Sequence, residues 1–126
     1  MVENIDYKLR RLTKFLKDTG RDKNTIVNMV NDNGVTEGLD VYNAHMRGSK
    51  CSAWEGGTRA FSFWRWPGKW KPRIMGNLTA HLDVFPTICE LTGTKIPANL
   101  KSKLEGNNLL PLLESKGQVK NWQKDR

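Results

Sequence analysis

The sequence predicts an α/β protein: part of a mostly parallel sheet flanked by helices, and an incomplete one. Three observations carry this expectation. An apolar stripe at helical spacing occupies residues 2–19, an almost unbroken apolar run follows at 25–30, and a second helix pattern appears at 83–92 after another strand-like stretch. A helix that feeds a strand apolar on most positions is the αβ step of a sheet buried on both faces.

Taken in order, Val2, Ile5, Leu9, Leu12 and Leu16 step by three or four, while Lys8, Arg10, Arg11, Lys14 and Lys17 lie mostly off that stripe. Gly20 is the expected stop. The stripe starts at the initiator Met with no capping residue ahead of it, so the helix reads as cut rather than begun. Thr25–Val30 is the expected strand, and it runs into Asn31-Asp32-Asn33-Gly34. Ligands collect at the carboxyl ends of strands in open α/β sheets, which singles out this tetrapeptide by position. Residues 34–58 show no period and read as a long loop. Residues 59–66 alternate as a second strand, and Pro67-Gly68 forces a turn. In the second helix Asp83 can cap, Pro86 fits the first turn, and Ile88, Cys89 and Leu91 are expected to face inward; Gly93 ends it. A short apolar segment, 104–114, is interrupted by Gly106 and Pro111, and a polar tail follows from 115.

The 126 residues allow one domain or a piece of one. No apolar run approaches the ~20 residues that span a bilayer, and the first residues carry no secretory pattern. Two Cys, at 51 and 89, do not form a disulfide framework, and with the two His, at 45 and 81, they make no close-spaced zinc pattern. The formal charge of +8 implies attraction to anions, or simply a solubilising surface.

Three stretches can carry chemistry. Asp32-Asn33-Gly34 alone is a turn signal, but a carboxylate and an amide carbonyl are also oxygen ligands for Ca²⁺ or Mg²⁺. Two such ligands do not fill a Ca²⁺ shell. Lys50 lies in a Gly/Ser loop, either solvated or aimed at an anion, and Gly48-Ser49-Lys50 lacks the upstream Gly of a phosphate-binding loop. Phe61–Arg73 interleaves aromatics with cations, as a surface for bases or anionic lipid would; Pro67-Gly68 favours a plain strand and turn instead.

The ordered set is more specific than its parts. Asp32-Asn33-Gly34 is followed by Lys50, by Glu55-Gly56-Gly57-x-Arg59, by Trp66-Pro67-Gly68, by Asp83-x-Phe85-Pro86-Thr87 and by Leu109-Leu110-Pro111-Leu112-Leu113. Over residues 1–114 this resembles the second half of the catalytic domain of sulfatases, in the alkaline-phosphatase superfamily, with 115–126 as the start of a missing C-terminal region. The resemblance implies hydrolysis of sulfate esters by a formylglycine nucleophile, with Asp32 and Asn33 among the ligands of a Ca²⁺ ion and Lys50 contacting the sulfate group. It implies a sulfated small molecule or sulfated carbohydrate as partner rather than nucleic acid. Complete family members are usually secreted, periplasmic or lysosomal; this chain alone does not assign a compartment.

Departures from the family pattern bound the expectation. No Cys/Ser-x-Pro-Ser/Ala-Arg motif is present, so the chain holds no nucleophile, and Cys51 and Cys89 both stand in other contexts. The family's N-terminal Asp pair, first lysine and catalytic histidines are missing as well, and neither His45 nor His81 matches a catalytic position. Asn31 stands where Ser is usual, Phe61 where Pro is usual and Cys51 where Gly is common. The expected function is therefore a sulfatase fragment that carries part of the Ca²⁺ site, is inactive alone and binds Ca²⁺ weakly or not at all. The competing expectation is a small basic non-catalytic binder of sulfated carbohydrate or nucleic acid.

Overall fold

The computed structural model describes residues 2–115, 119, 121 and 122. The chain forms two compact units, Met1–Lys69 and Trp70–Arg126.

In the first unit the helical stripe becomes α1 (Val2–Asp18). Its end is built by Gly20 at φ +68: Gly20 N–H donates to Lys17 O and Arg21 N–H to Leu16 O, the paired bonds of a left-handed helix stop. Leu16 is buried and Leu9 half-buried, whereas Val2, Ile5 and Leu12 stay exposed, so the amphipathic face is formed and only partly covered. Charged neighbours one turn apart, such as Asp6 and Arg10 at 2.8 Å, line the solvent side.

A turn of 3-10 helix, Asp22–Asn24, leads to β1 (Val27–Val30). The strand begins two residues later than the apolar run: Thr25 is already extended, but the ladder starts at Val27 opposite Arg65, beyond which Trp66-Pro67 turn the partner chain away. The partner strand is β2 (Ser62–Arg65). The two pair antiparallel, with Val27 opposite Arg65 and Val30 opposite Ser62. This corrects the expected parallel sheet: among the described residues the sheet is two-stranded and antiparallel. An apolar run fits either pairing direction, and the direction here is set by the loop that brings the chain back alongside β1. Beyond β2, Lys69 N–H donates to Trp66 O across Pro67-Gly68, with Gly68 at φ +84, as a type II turn requires. Trp66 Nε1 donates to Lys23 O at 2.8 Å and ties this turn to the entry of β1.

After α2 (Glu55–Thr58) of the first unit, the second unit contains α3 (Val84–Thr92), α4 (Ala98–Lys101) and α5 (Leu110–Glu114). Its core is Cys89, Leu109, Leu112 and Leu113 around two polar residues, Asp83 and Thr87, that are no more exposed than Leu112. Asp83 does not cap α3 in the ordinary sense. It ends a 3-10 turn, His81–Asp83, and its two carboxylate oxygens accept from different segments, Ala80 N–H at 2.6 Å and Asn107 N–H at 2.8 Å. Thr87 repeats the device one turn on: its hydroxyl donates to Asp83 O and accepts from Leu109 N–H at 2.8 Å. Buried polar groups are tolerated when satisfied in this way. Ile88 is exposed, contrary to expectation, and Pro86 and Thr87 take the inward positions beside Cys89. Of the two interruptions expected in the apolar segment, only Pro111 falls within a helix, and Gly106 lies in the non-helical stretch before it. Pro111 sits in the first turn of α5, where its missing N–H costs nothing, and Gly106 passes so close to the Leu82 carbonyl that no Cβ would fit. The Arg73 guanidinium donates to Leu112 O and Ser115 O at the far end of α5. Of the expected polar tail, residues 116–118, 120 and 123–126 lie outside the described residues.

Candidate functional site

The site lies in the first unit, where β1 ends. Asn31 fixes the exit: its side-chain oxygen accepts from Phe61 N–H at 2.6 Å, ahead of β2, and its amide nitrogen donates to Asn33 O. The Asp32 and Asn33 side chains therefore leave a segment held at both sides. Asp32 is exposed, and its Oδ2 accepts from Asn33 Nδ2 at 2.6 Å. Gly34 N–H donates to Gly57 O at 2.8 Å, which turns the chain onto the following loop.

That loop, residues 34–54, is organised rather than loose, and it ends in one turn of helix, α2 (Glu55–Thr58). Three glycines make the joint. A Cβ on Gly34 would stand 2.8 Å from Gly57 Cα and closer still to the Gly56 carbonyl; one on Gly56 would stand 2.7 Å from Arg47 O. On Gly57 it would meet the Ser49 and Ser52 carbonyls. The Glu-Gly-Gly sequence is thus the place where the strand exit on one side and the 47–52 segment on the other approach backbone to backbone. Gly56 N–H donates to Arg47 O at 2.8 Å, and Glu55 and Arg59 pair across the turn.

Lys50 is carried on this frame. Its N–H donates to Val35 O at 2.9 Å, directly after the Asp-Asn-Gly segment. Its Nζ lies 3.9 Å from Asp32 Oδ2. The three residues singled out by sequence are brought together, although 18 positions separate Asp32 from Lys50. Lys50 is partly covered and Asp32 largely open, so the pair itself contributes little stability. Its content is positional: a carboxylate, an amide and an ammonium converge at the end of a strand.

As a cation site the arrangement fits in kind and falls short in number. Asp32 and Asn33 offer hard oxygen donors, yet among the described residues no three His, Cys, Asp or Glu side chains gather where a metal ion would be held. His45, exposed and edge-on to Tyr42, and the exposed thiol of Cys51 complete no such cluster. Cys51 adopts φ +71, the left-handed region, which explains why Gly is the easier residue at this position.

Sequence reasoning missed two supports of the Lys50 loop. Asn43 Nδ2 donates to both Met46 O and Gly48 O, at 3.0 and 2.9 Å; an Asn serving nearby carbonyls leaves no periodic signal. The Arg47 guanidinium lies 3.5 Å from the centre of the Trp54 ring. Both residues stand in the stretch that contains Lys50, and only the fold shows that they meet.

Comparisons with known proteins agree in direction. The family model described as Sulfatase matches residues 1–94. The chain is similar to steryl-sulfatase of Mus musculus, 32% identical over 93% of this chain and 20% of that protein, and to arylsulfatase D of Homo sapiens, 30% identical over 90% of this chain and 20% of that protein. Among solved structures it is similar to Ps i-CgsB in complex with k-i-k-neocarrahexaose, at TM-score 0.73 and 25% identity, covering all of this chain and 26% of that one. The chain spans about a fifth of the length of these curated relatives.

Proposed function

This chain belongs to the sulfatase family, and on that premise we propose that it supplies part of the centre of a sulfate-ester hydrolase. In this reading Lys50 contacts the sulfate group, and Asp32 and Asn33 are two of the oxygen ligands of a Ca²⁺ ion. The supporting observation is the 3.9 Å approach of Lys50 Nζ to Asp32 Oδ2. A side chain from a distant loop reaches the strand-end carboxylate and stays partly open, as a group that must meet a ligand would.

The chemistry of the residues fits the role. A sulfate ester carries its charge on oxygens bound to sulfur, and that charge grows on the leaving oxygen as the S–O bond breaks. The Lys50 ammonium, a compact charge with three donors, is suited to hold such oxygens. A bound Ca²⁺ would add positive charge at the same oxygens. Asn33 would then offer its amide oxygen to the ion, and the charge of Asp32 would be shared between the ion and Lys50. The 126 residues contain no Cys/Ser-x-Pro-Ser/Ala-Arg motif, so the attacking group comes from outside this segment. The substrate class is a sulfated small molecule or sulfated carbohydrate; the names of the relatives and the carbohydrate seen with Ps i-CgsB support it.

The test is a full-length sulfatase in which these 126 residues replace the matching segment. Lys50→Ala should lower turnover of an aryl sulfate by about 10²–10³ at unchanged melting temperature, and Lys50→Arg should restore only part. Turnover within about twofold of the parent would defeat the sulfate-contact role.

A further inference from the structure

We infer that Arg47 and Trp54 are positioning residues for Lys50: their stacking closes the base of the eight-residue loop that carries the lysine, and so fixes where its ammonium stands. The inference rests on the sulfate-contact reading of Lys50 and adds to it the part that sets the geometry.

The loop from Arg47 to Trp54 is fastened at several places, almost all of them on backbone. Arg47 O accepts from Gly56 N–H, Trp54 O accepts from Gly57 N–H, and Gly48 O accepts from Asn43 Nδ2. Inside the loop, Ser52 Oγ accepts from Ser49 N–H and donates to Ser49 O at 2.7 Å. The contact that joins the two ends through side chains is Arg47 over Trp54, at 3.5 Å from the ring centre. A guanidinium at that distance is held by the electron-rich ring face as well as by packing. Gly48, at φ +81, makes room for it: a Cβ there would stand 2.7 Å from Trp54 Cβ. Lys50 occupies the middle of this closed loop, three residues after Arg47 and four before Trp54. Its charged group must be placed within a fraction of an ångström to meet a sulfate oxygen, and a misplacement of about 1 Å costs on the order of 10²-fold in rate. Trp54 is half exposed and Arg47 is exposed, so neither is a core residue whose loss would open a cavity.

The experiment has two arms. In the full-length chimera, Trp54→Ala and Arg47→Ala should each lower kcat on an aryl sulfate at least about tenfold with KM changed less than threefold. Trp54→Phe and Arg47→Lys should recover most of the loss, since each keeps the cation on a ring. In the Lys50→Ala background, Trp54→Ala should cost nothing further, because a positioning residue has nothing left to position. A rise in KM alone, or the same loss with and without Lys50, would overturn the inference by assigning Trp54 to substrate contact or to general stability. If Lys50→Ala itself leaves turnover intact, the sulfate-contact reading fails first and is identified as the cause. The second arm reads hydrogen exchange of the Lys50 amide, which donates to Val35 O, in the same chimera: Trp54→Ala should quicken it at least tenfold and Trp54→Phe should not. Equal exchange in parent and Trp54→Ala would also overturn the inference.

Discussion

Replacing Gly56 by Ala tests whether the backbone approach under Lys50 sets the site. Gly56 has no left-handed backbone, so an added methyl acts by volume alone. Its Cβ would stand 2.7 Å from Arg47 O and 2.8 Å from Asn43 Nδ2, and closer to Gly48 O, whereas ordinary contact begins at 3.4 Å. The Arg47 carbonyl must retreat by at least 3.4 less 2.7, about 0.7 Å, and the Gly48 carbonyl, the nearest atom, by more. The Arg47 carbonyl accepts from Gly56 N–H, so the shift also weakens the bond holding the Lys50 loop to α2. Overpacking of this kind costs about 1–3 kcal/mol. Displacing the base of the loop by most of an ångström should lower turnover by at least about tenfold. The assay is the full-length chimera, read by aryl sulfate turnover and by chemical denaturation. Gly76→Ala is the control, since nothing lies within 4 Å of its Cβ and its φ is not positive; it should stay within about 0.5 kcal/mol of the parent. If Gly56→Ala keeps turnover within twofold and stability within about 0.5 kcal/mol, the backbone approach is not what places the lysine.

Other expectations follow from the same geometry. Asp83→Asn should destabilise the second unit by about 1.5–3 kcal/mol, because an amide can accept from only one of the Ala80 and Asn107 N–H groups and turns its own donors on the other; denaturant midpoints at constant slope would measure it, and a neutral effect would mean the carboxylate is not the staple. Cys51→Gly should stabilise by roughly 0.5–1 kcal/mol, the relief of a left-handed Cys less the added freedom of Gly in the unfolded chain; a lower melting temperature would refute this. Titrating the isolated 126-residue chain with Ca²⁺ in a calorimeter should reveal no micromolar site, since two oxygen ligands leave most of the shell to water; a micromolar site abolished by Asp32→Ala would show that further ligands are present.

The sequence determined by itself what local rules can encode. The spacing of Val2 to Leu16, followed by Gly20, fixes a helix and its end, and the structure shows the corresponding stop bonds. Pro67-Gly68 fixes a turn, Gly93 at φ +69 closes α3, and the ordered motifs from Asp32 to Thr87 lie within the stretch that the family model matches. These signals depend on a few neighbouring residues, or on motif order, and both survive in a linear string. The tertiary structure decided the rest. Strand direction was not legible, because an apolar run such as residues 25–30 pairs either way, and the return path through residues 31–61 makes it antiparallel. Asp83 stands at the start of α3 as the sequence suggests, but the turn of its carboxylate away from the helix is not legible there, because its partner Asn107 is 24 residues away. The same holds at the site. Asp32, Asn33 and Lys50 could be named from the string, but the 3.9 Å approach of Lys50 to Asp32, the glycine joint beneath it and the Arg47–Trp54 closure exist only once the loop is folded. Contacts between residues far apart in sequence carry no period and no fixed spacing, so only their meeting in space gives them meaning.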